Sequence, residues 1–167
     1  DALEERGETV VRYSLETEYS DNKDRIAECD VVFIAVPTPT TQAGFDDSLV
    51  RAAVALTREG ATVVLKSTIV PGTTESIQNE FPSRFIMHSP EFLTEHNAAH
   101  DVRHPMRNII GIPKDTPEYR RRADAVLALF AKAPYSAITS AREAEIVKYA
   151  ANCLLYSKVV MINLFYD

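Results

Sequence analysis

The strongest constraint on this chain is a pair of apolar runs that contain no alternation. Val31–Val36 reads VVFIAV and is stopped by Pro37, and Ala61–Leu65 reads ATVVL. A strand with one wet face alternates apolar and polar residues, whereas an unbroken Val/Ile/Phe run fits a strand covered on both faces, as in a parallel sheet. Segments of helical spacing lie between such runs. Asp47–Glu59 carries Leu49, Val50, Ala53, Val54 and Leu56 ahead of Gly60, and Thr73–Glu80 reads as a second helix. Thr116 followed by Pro117 is a cap and a first-turn proline, predicting a helix to about Lys132. Lys23–Cys29 fits one or two helical turns, and Thr9–Tyr13, Phe85–Met87, Asn108–Ile112 and Tyr135–Ile138 read as short strands. Strands alternating with helices predict an α/β fold with a doubly wound, mostly parallel sheet.

The last segment differs in kind. Ser140-Ala-Arg-Glu143 is a capping box, and from there to Asp167 there is no Gly or Pro. A helix of about 28 residues would run roughly 40 Å. Its apolar positions, among them Val147, Ala150, Ala151, Leu154, Val159, Ile162 and Phe165, wrap most of the circumference. A helix apolar nearly all round is expected to be covered by another domain or another subunit, which predicts a homo-oligomer. The division is thus 1–138 for the α/β body and 139–167 for the start of a long helix. The opening DALEERGE reads as a helix end stopped by Gly7, and INLFYD stops in mid-pattern, so a piece of a longer protein is expected.

Composition removes several functions. Eighteen Lys and Arg stand against 24 Asp and Glu, a net charge of −6, with 46% hydrophobic and 25% charged residues. That is a globular balance, and the negative charge opposes a grip on nucleic-acid phosphates. The basic run Arg120-Arg121-Arg122 is flanked by Glu118 and Asp124 and reads as a solvated helix face. No apolar stretch reaches the roughly 20 residues of a membrane span, and no signal peptide is visible, so a cytoplasmic protein is expected. Cys29 and Cys153 are far apart, with neither metal-ligand spacing nor a disulfide framework.

Ligands of open parallel sheets bind beyond the carboxyl ends of the strands. Three predicted strand ends carry unusual residues: Val36-Pro37-Thr38-Pro39-Thr40, Lys66-Ser67-Thr68-Ile69-Val70-Pro71-Gly72, and His88-Ser89-Pro90-Glu91-Phe92-Leu93-Thr94-Glu95. Taken singly each is ordinary turn composition; together they fit a polar cleft for a small molecule. Glu91 and Glu95, four apart, would share a face in a helical turn, among Pro90, Phe92 and Leu93. Two carboxylates so placed suit general-base work, although a solvated face is the blander reading. Lys148 and Asn152 repeat that spacing on the long helix, where a cation is either at the surface or set to stabilise negative charge.

VVFIAVPTPT, LKSTIVPGT, SPEFLTEHNA with HPMRNIIG, and AEIVKYAANCLLYSKVVMIN together resemble the UDP-glucose/GDP-mannose dehydrogenase family, in order, from Val31 to Asn163. The resemblance implies a Rossmann-like domain binding NAD, a long central helix and a nucleotide-sugar substrate. It also implies oxidation of a primary alcohol to a carboxylate in two hydride transfers through a thioester, with UDP-glucose as the default substrate. GDP-mannose, UDP-N-acetylmannosamine or a non-catalytic assembly module are the alternatives. By motif position, Val36, Pro37, Thr38, Pro39, Thr40, Ser67, Thr68, Ile69 and Glu95 would line the NAD site. Thr68 would help hold the catalytic water, and Glu91 would be the general base. Glu91, Phe92, Leu93, Glu95, Lys148 and Asn152 would meet the substrate, with Lys148 and Asn152 stabilising an oxyanion. No metal is implied.

Departures accompany the match. The family's Gly-rich loop belongs before residue 1 and its nucleophilic cysteine belongs downstream of the long helix, so Cys29 and Cys153 are not that residue. The chain alone is therefore expected to be inactive. The acidic residue expected after the second strand aligns with Ser14, with Glu16 near it, which opens the choice between NAD and NADP. His96 stands where the family has glycine and reads as a surface residue, and Leu164 follows Asn163 where glutamate is common.

Overall fold

In the computed structural model, which describes residues 2–93 and 95–166, one five-stranded sheet organises the chain. Its strands are β1 (Val31–Ile34), β4 (Thr62–Leu65), β5 (Phe85–His88), β6 (Arg107–Ile112) and β7 (Tyr135–Ser140), adjacent in that order. A separate hairpin joins β2 (Thr40–Thr41) to β3 (Gly44–Phe45). The pairs β1/β4, β4/β5 and β6/β7 are parallel, while β5 meets β6 antiparallel through His88 and Gly111. The fold is therefore the α/β, mostly parallel, Rossmann-like architecture expected.

Alternate residues of the central strands serve two cores, which is why their sequence does not alternate. Val63, Leu65 and Ile86 pack with Val50 and Val54 of α1 (Ser48–Ala55) and Ile77 of α2 (Thr73–Glu80). On the other face Val64, Met87 and Ile110 pack with Tyr119, Ala123 and Val126 of α4 (Pro117–Leu129), which follows the short α3 (Ala98–Arg103). Thr116 caps α4 as expected, its side chain accepting from Tyr119 N–H. Arg120 and Arg121 lie on a wet face paired with Asp115 and Glu118, whereas Arg122, also paired with Glu118 at 2.7 Å, is largely covered. It turns inward, donating to the Gly60 carbonyl at 3.1 Å and to Thr62 Oγ1 at 2.9 Å, 3.7 Å above the Phe85 ring.

The expected strand at Thr9–Tyr13 is not formed. A β-branched run becomes a strand only where a neighbour supplies ladder hydrogen bonds. β1 is the edge of the sheet, and among the described residues nothing pairs with its outer side. The alignment of Ser14 with the end of a second strand loses its premise with it. The region around Lys23–Cys29 is a 3-10 helix over Ser20–Glu28.

The last helix, α5 (Ala141–Tyr166), begins with the predicted box: Ser140 Oγ accepts from Glu143 N–H at 3.2 Å and Glu143 accepts from Ser140 N–H at 3.0 Å. Only Ala141, Ala144 and Glu145 of α5 are buried. The helix beyond them projects from the body, with Leu154, Leu155, Ile162 and Phe165 exposed within this chain. The root packs closely on β6 because residue 111 has no side chain. A Cβ there would lie 2.6 Å from Ala144 Cβ and 2.8 Å from Ala141 Cα. Gly111→Ala is therefore expected to push α5 off the sheet and cost about 1–3 kcal/mol, read as a lower urea midpoint.

Candidate active site

The three unusual turns follow β1, β4 and β5, neighbouring strands that point the same way, so they meet at one edge of the sheet. The first two are fastened together. Ser67 Oγ accepts from Val36 N–H at 2.9 Å and donates to the Val36 carbonyl at 2.7 Å, and Thr38 Oγ1 donates to the Thr68 carbonyl at 2.6 Å. Prolines 37 and 39 bring no N–H to satisfy, so this lip is rigid without further partners. Among the described residues, no protein group bonds the Thr68 hydroxyl.

The third turn joins through Lys66. Its ammonium lies 3.1 Å from Glu91 Oε2 and 3.3 Å from Ser89 Oγ, and 5.2 Å from the centre of the Phe130 ring. Glu91 Oε1 accepts from the N–H of Phe92 at 3.2 Å. That local bond competes with helix formation, and residues 91–93 are not helical, so the shared helical face expected for Glu91 and Glu95 does not exist. Glu95 opens a short 3-10 turn, Glu95–Asn97, and Thr94 lies outside the described residues. His96 is exposed, as expected.

Lys148 reaches the same turn from α5, its ammonium 5.7 Å from the centre of the Phe92 ring. Partial burial lowers its pKa, the nearby Glu91 carboxylate works against that, and the Lys66 charge adds to it. Asn152, one turn further, is exposed on the projecting helix. Glu91, Phe92 and Leu93 share with Lys66, Phe130 and Arg107 the wall of a cavity of about 720 Å³. The Val36–Thr40 and Ser67–Ile69 turns, Lys148 and Asn152 do not line that cavity.

Two groups at the site, the half-buried Lys66 and the buried Glu145, went unread in the sequence. Lys66 had no role beyond its place in a turn. Glu145, fully buried, accepts from Gly72 N–H at 2.6 Å, Thr74 N–H at 2.8 Å and Thr74 Oγ1 at 2.6 Å, fixing the root of α5 to the start of α2. The signal for it was positional: Ala141, Ala144, Glu145 and Lys148 fall on one helical face.

His88, at the end of β5, is fully buried. Its Nδ1 lies 3.0 Å from the Leu65 carbonyl and therefore carries the proton, while Nε2 is buried with no partner among the described residues. Burial above all, then the Lys66 and Lys148 charges, push its pKa from 6.5 down to about 4, against the Leu65 bond. The unfolded chain thus takes up this proton first as pH falls. The contribution to stability is complete above pH 6.5 and is lost towards pH 4, up to about 3 kcal/mol. Urea midpoints of wild type and His88→Asn are expected to diverge least at pH 4 and most near neutrality, with the wild type showing the steeper fall.

Comparison with known proteins follows the same lines. The model of the UDP-glucose/GDP-mannose dehydrogenase family, NAD binding domain, matches residues 2–132. A UDP-glucose 6-dehydrogenase of Rhizobium meliloti (strain 1021) is 34% identical over 158 residues, covering 86% of this chain and 36% of the relative. The UDP-glucose 6-dehydrogenase YwqF of Bacillus subtilis (strain 168) is 32% identical over 166 residues, covering 91% and 36%. Among solved structures, a UDP-glucose dehydrogenase from Pyrobaculum islandicum superposes with a TM-score of 0.68 at 33% identity, over 81% of this chain and 34% of that one. A GDP-mannose dehydrogenase from Pseudomonas aeruginosa shares the fold, with a TM-score of 0.71 at 24% identity, over 86% and 36%. The chain spans about a third of the length of these relatives.

Proposed function

We propose that this chain, which belongs to the UDP-glucose/GDP-mannose dehydrogenase family, is the cofactor-binding part of an enzyme that oxidises a nucleotide-sugar primary alcohol to the carboxylate, with UDP-glucose as substrate. The observation that carries the reading is the meeting of a carboxylate and a second cation on one turn at the carboxyl edge of the sheet: Glu91 bonded to the Phe92 amide, and Lys148 over the Phe92 ring.

The residues present suit NAD, the cofactor of the matched domain. The joined turns Val36–Thr40 and Ser67–Ile69 offer hydroxyls at a rigid lip over the buried Ile34 and Ile69, with no carboxylate in either turn to repel a phosphate. NAD supplies a hydride acceptor for each of the two oxidations. Val36, Pro37, Thr38, Pro39, Thr40, Ser67 and Ile69 would hold it, with Glu95 at its edge. The chain's own groups then serve the hydrolytic end of the reaction. Glu91 would take a proton from the attacking water, which the free Thr68 hydroxyl orients, and Lys148 with Asn152 would stabilise the oxyanion as it forms.

The thioester of this reading needs a thiolate that the cysteines here are ill placed to supply. Burial, reinforced by the neighbouring Glu28 charge, raises the Cys29 thiol above its ordinary pKa, and Cys153 is exposed on the projecting helix. The nucleophile would therefore come from outside the 167 residues, as would the nucleotide-sugar domain. Formation of NADH from NAD and UDP-glucose by the protein in its full natural length tests the activity. Glu91→Gln is expected to lower turnover about 10²-fold or more. No NADH with UDP-glucose, GDP-mannose or UDP-N-acetylmannosamine overturns the enzyme reading and leaves an assembly module.

Homo-oligomerisation through α5 belongs to the same proposal, since its exposed apolar side chains run from Leu154 to Tyr166. Sedimentation of the chain is expected to show a dimer or larger species at micromolar concentration. A monomer throughout that range contradicts this.

A further inference from the structure

We propose that Lys66 is a positioning residue that keeps the two opposite charges of the site apart, holding Glu91 so that it does not close on Lys148. The inference rests on the reading of Glu91 as base and Lys148 as oxyanion cation. Those roles demand separation: a direct ion pair would neutralise the ammonium that the oxyanion needs. Both groups meet at Phe92, one through its amide and the other over its ring. Each lies close enough to influence the other's field, yet among the described residues no carboxylate lies within ion-pair distance of Lys148.

Lys66 accounts for that separation. Its ammonium takes Glu91 Oε2 at 3.1 Å, and its own position is set on three sides. The backbone N–H of Lys66 donates to the Ile34 carbonyl at 2.8 Å, the ammonium donates to Ser89 Oγ at 3.3 Å, and the Phe130 ring lies 5.2 Å beneath it. The Lys66 side chain is 17% exposed while that of Glu91 is 40% exposed, so the cation is the fixed member and the carboxylate the movable one. With the Phe92 amide on Oε1 and Lys66 on Oε2, both oxygens are engaged by groups outside α5. Lys66 is also a like charge to Lys148 and opposes its approach. Any anion arriving at the turn then meets a Lys148 that has, among the described residues, no protein counter-ion to displace.

The test reads the titration of Lys148 by NMR of lysine-labelled protein, without substrate or turnover, so that its outcome is independent of the proposed activity. Removing Lys66 as Lys66→Met relieves a like charge and, if the proposal holds, also frees Glu91 to pair with Lys148; both changes raise the Lys148 midpoint. The two contributions separate in a double-mutant cycle, because in a Glu91→Gln background only the first remains. The rise caused by Lys66→Met is expected to be larger in the wild-type background by about one pH unit. Lys66→Arg, which keeps a cation for Glu91, is expected to leave the midpoint near the wild-type value and serves as the reading should Lys66→Met fail to fold. Equal rises in the two backgrounds, or a Lys66→Arg protein in which Lys148 titrates as a paired lysine, overturn the proposal.

Discussion

A single buried carboxylate determines how the pieces of this molecule sit. Glu145 has no exposed surface, and it receives two backbone N–H groups and one hydroxyl from Gly72 and Thr74. Those amides lie at the start of α2, where a helix leaves donors unsatisfied and its dipole favours negative charge. Charge-assisted hydrogen bonds of this kind let a carboxylate stay in an interior that would otherwise reject it. Gly72 makes the geometry possible with φ +96°, a left-handed conformation in which a side chain would be strained. The Arg142–Glu75 pair at 2.8 Å spans the same junction from outside.

From that junction the site follows by short steps. The Gly72 turn continues from Ser67 and Thr68, whose bonds to Val36 and Thr38 fix the proline lip. Three residues along α5 from Glu145 comes Lys148, so the element bearing the cation and the turn bearing the free hydroxyl share one anchor. β6 contributes by running against its neighbour. Because β5 ends and β6 begins at the same edge, Glu91 stands beside Lys66 without crossing the sheet.

What could be read in the sequence, and what could not, divides along the range of the interactions. The buried strands at Val31 and Thr62 were legible because two-sided burial leaves no polar positions. The caps at Thr116 and Ser140 were legible because a cap is a contact over three residues. Thr9–Tyr13 misled because a strand is a property of a pair, and its local composition says nothing about the partner. Glu91 and Glu95 misled in a similar way, since helical spacing carries meaning only in a helix. The Lys66–Glu91 contact joins residues 25 apart and depends on β4 lying beside β5, which no local pattern announces. The motif resemblance reaches the residues of the turn; which charge holds which is a matter of tertiary placement.

The projecting helix acts as a lever with its fulcrum at Glu145. From there to Tyr166 is 21 residues, about 30 Å at 1.5 Å per residue, while Lys148 lies only about 4.5 Å along the same axis. A tilt of about 10° would carry the far end through about 5 Å and move Lys148 by less than about 1 Å. Whatever engages the exposed end of α5 can therefore adjust its angle considerably with little mechanical consequence for the charges at the sheet edge. The short arm keeps the chemistry still while the long arm accommodates.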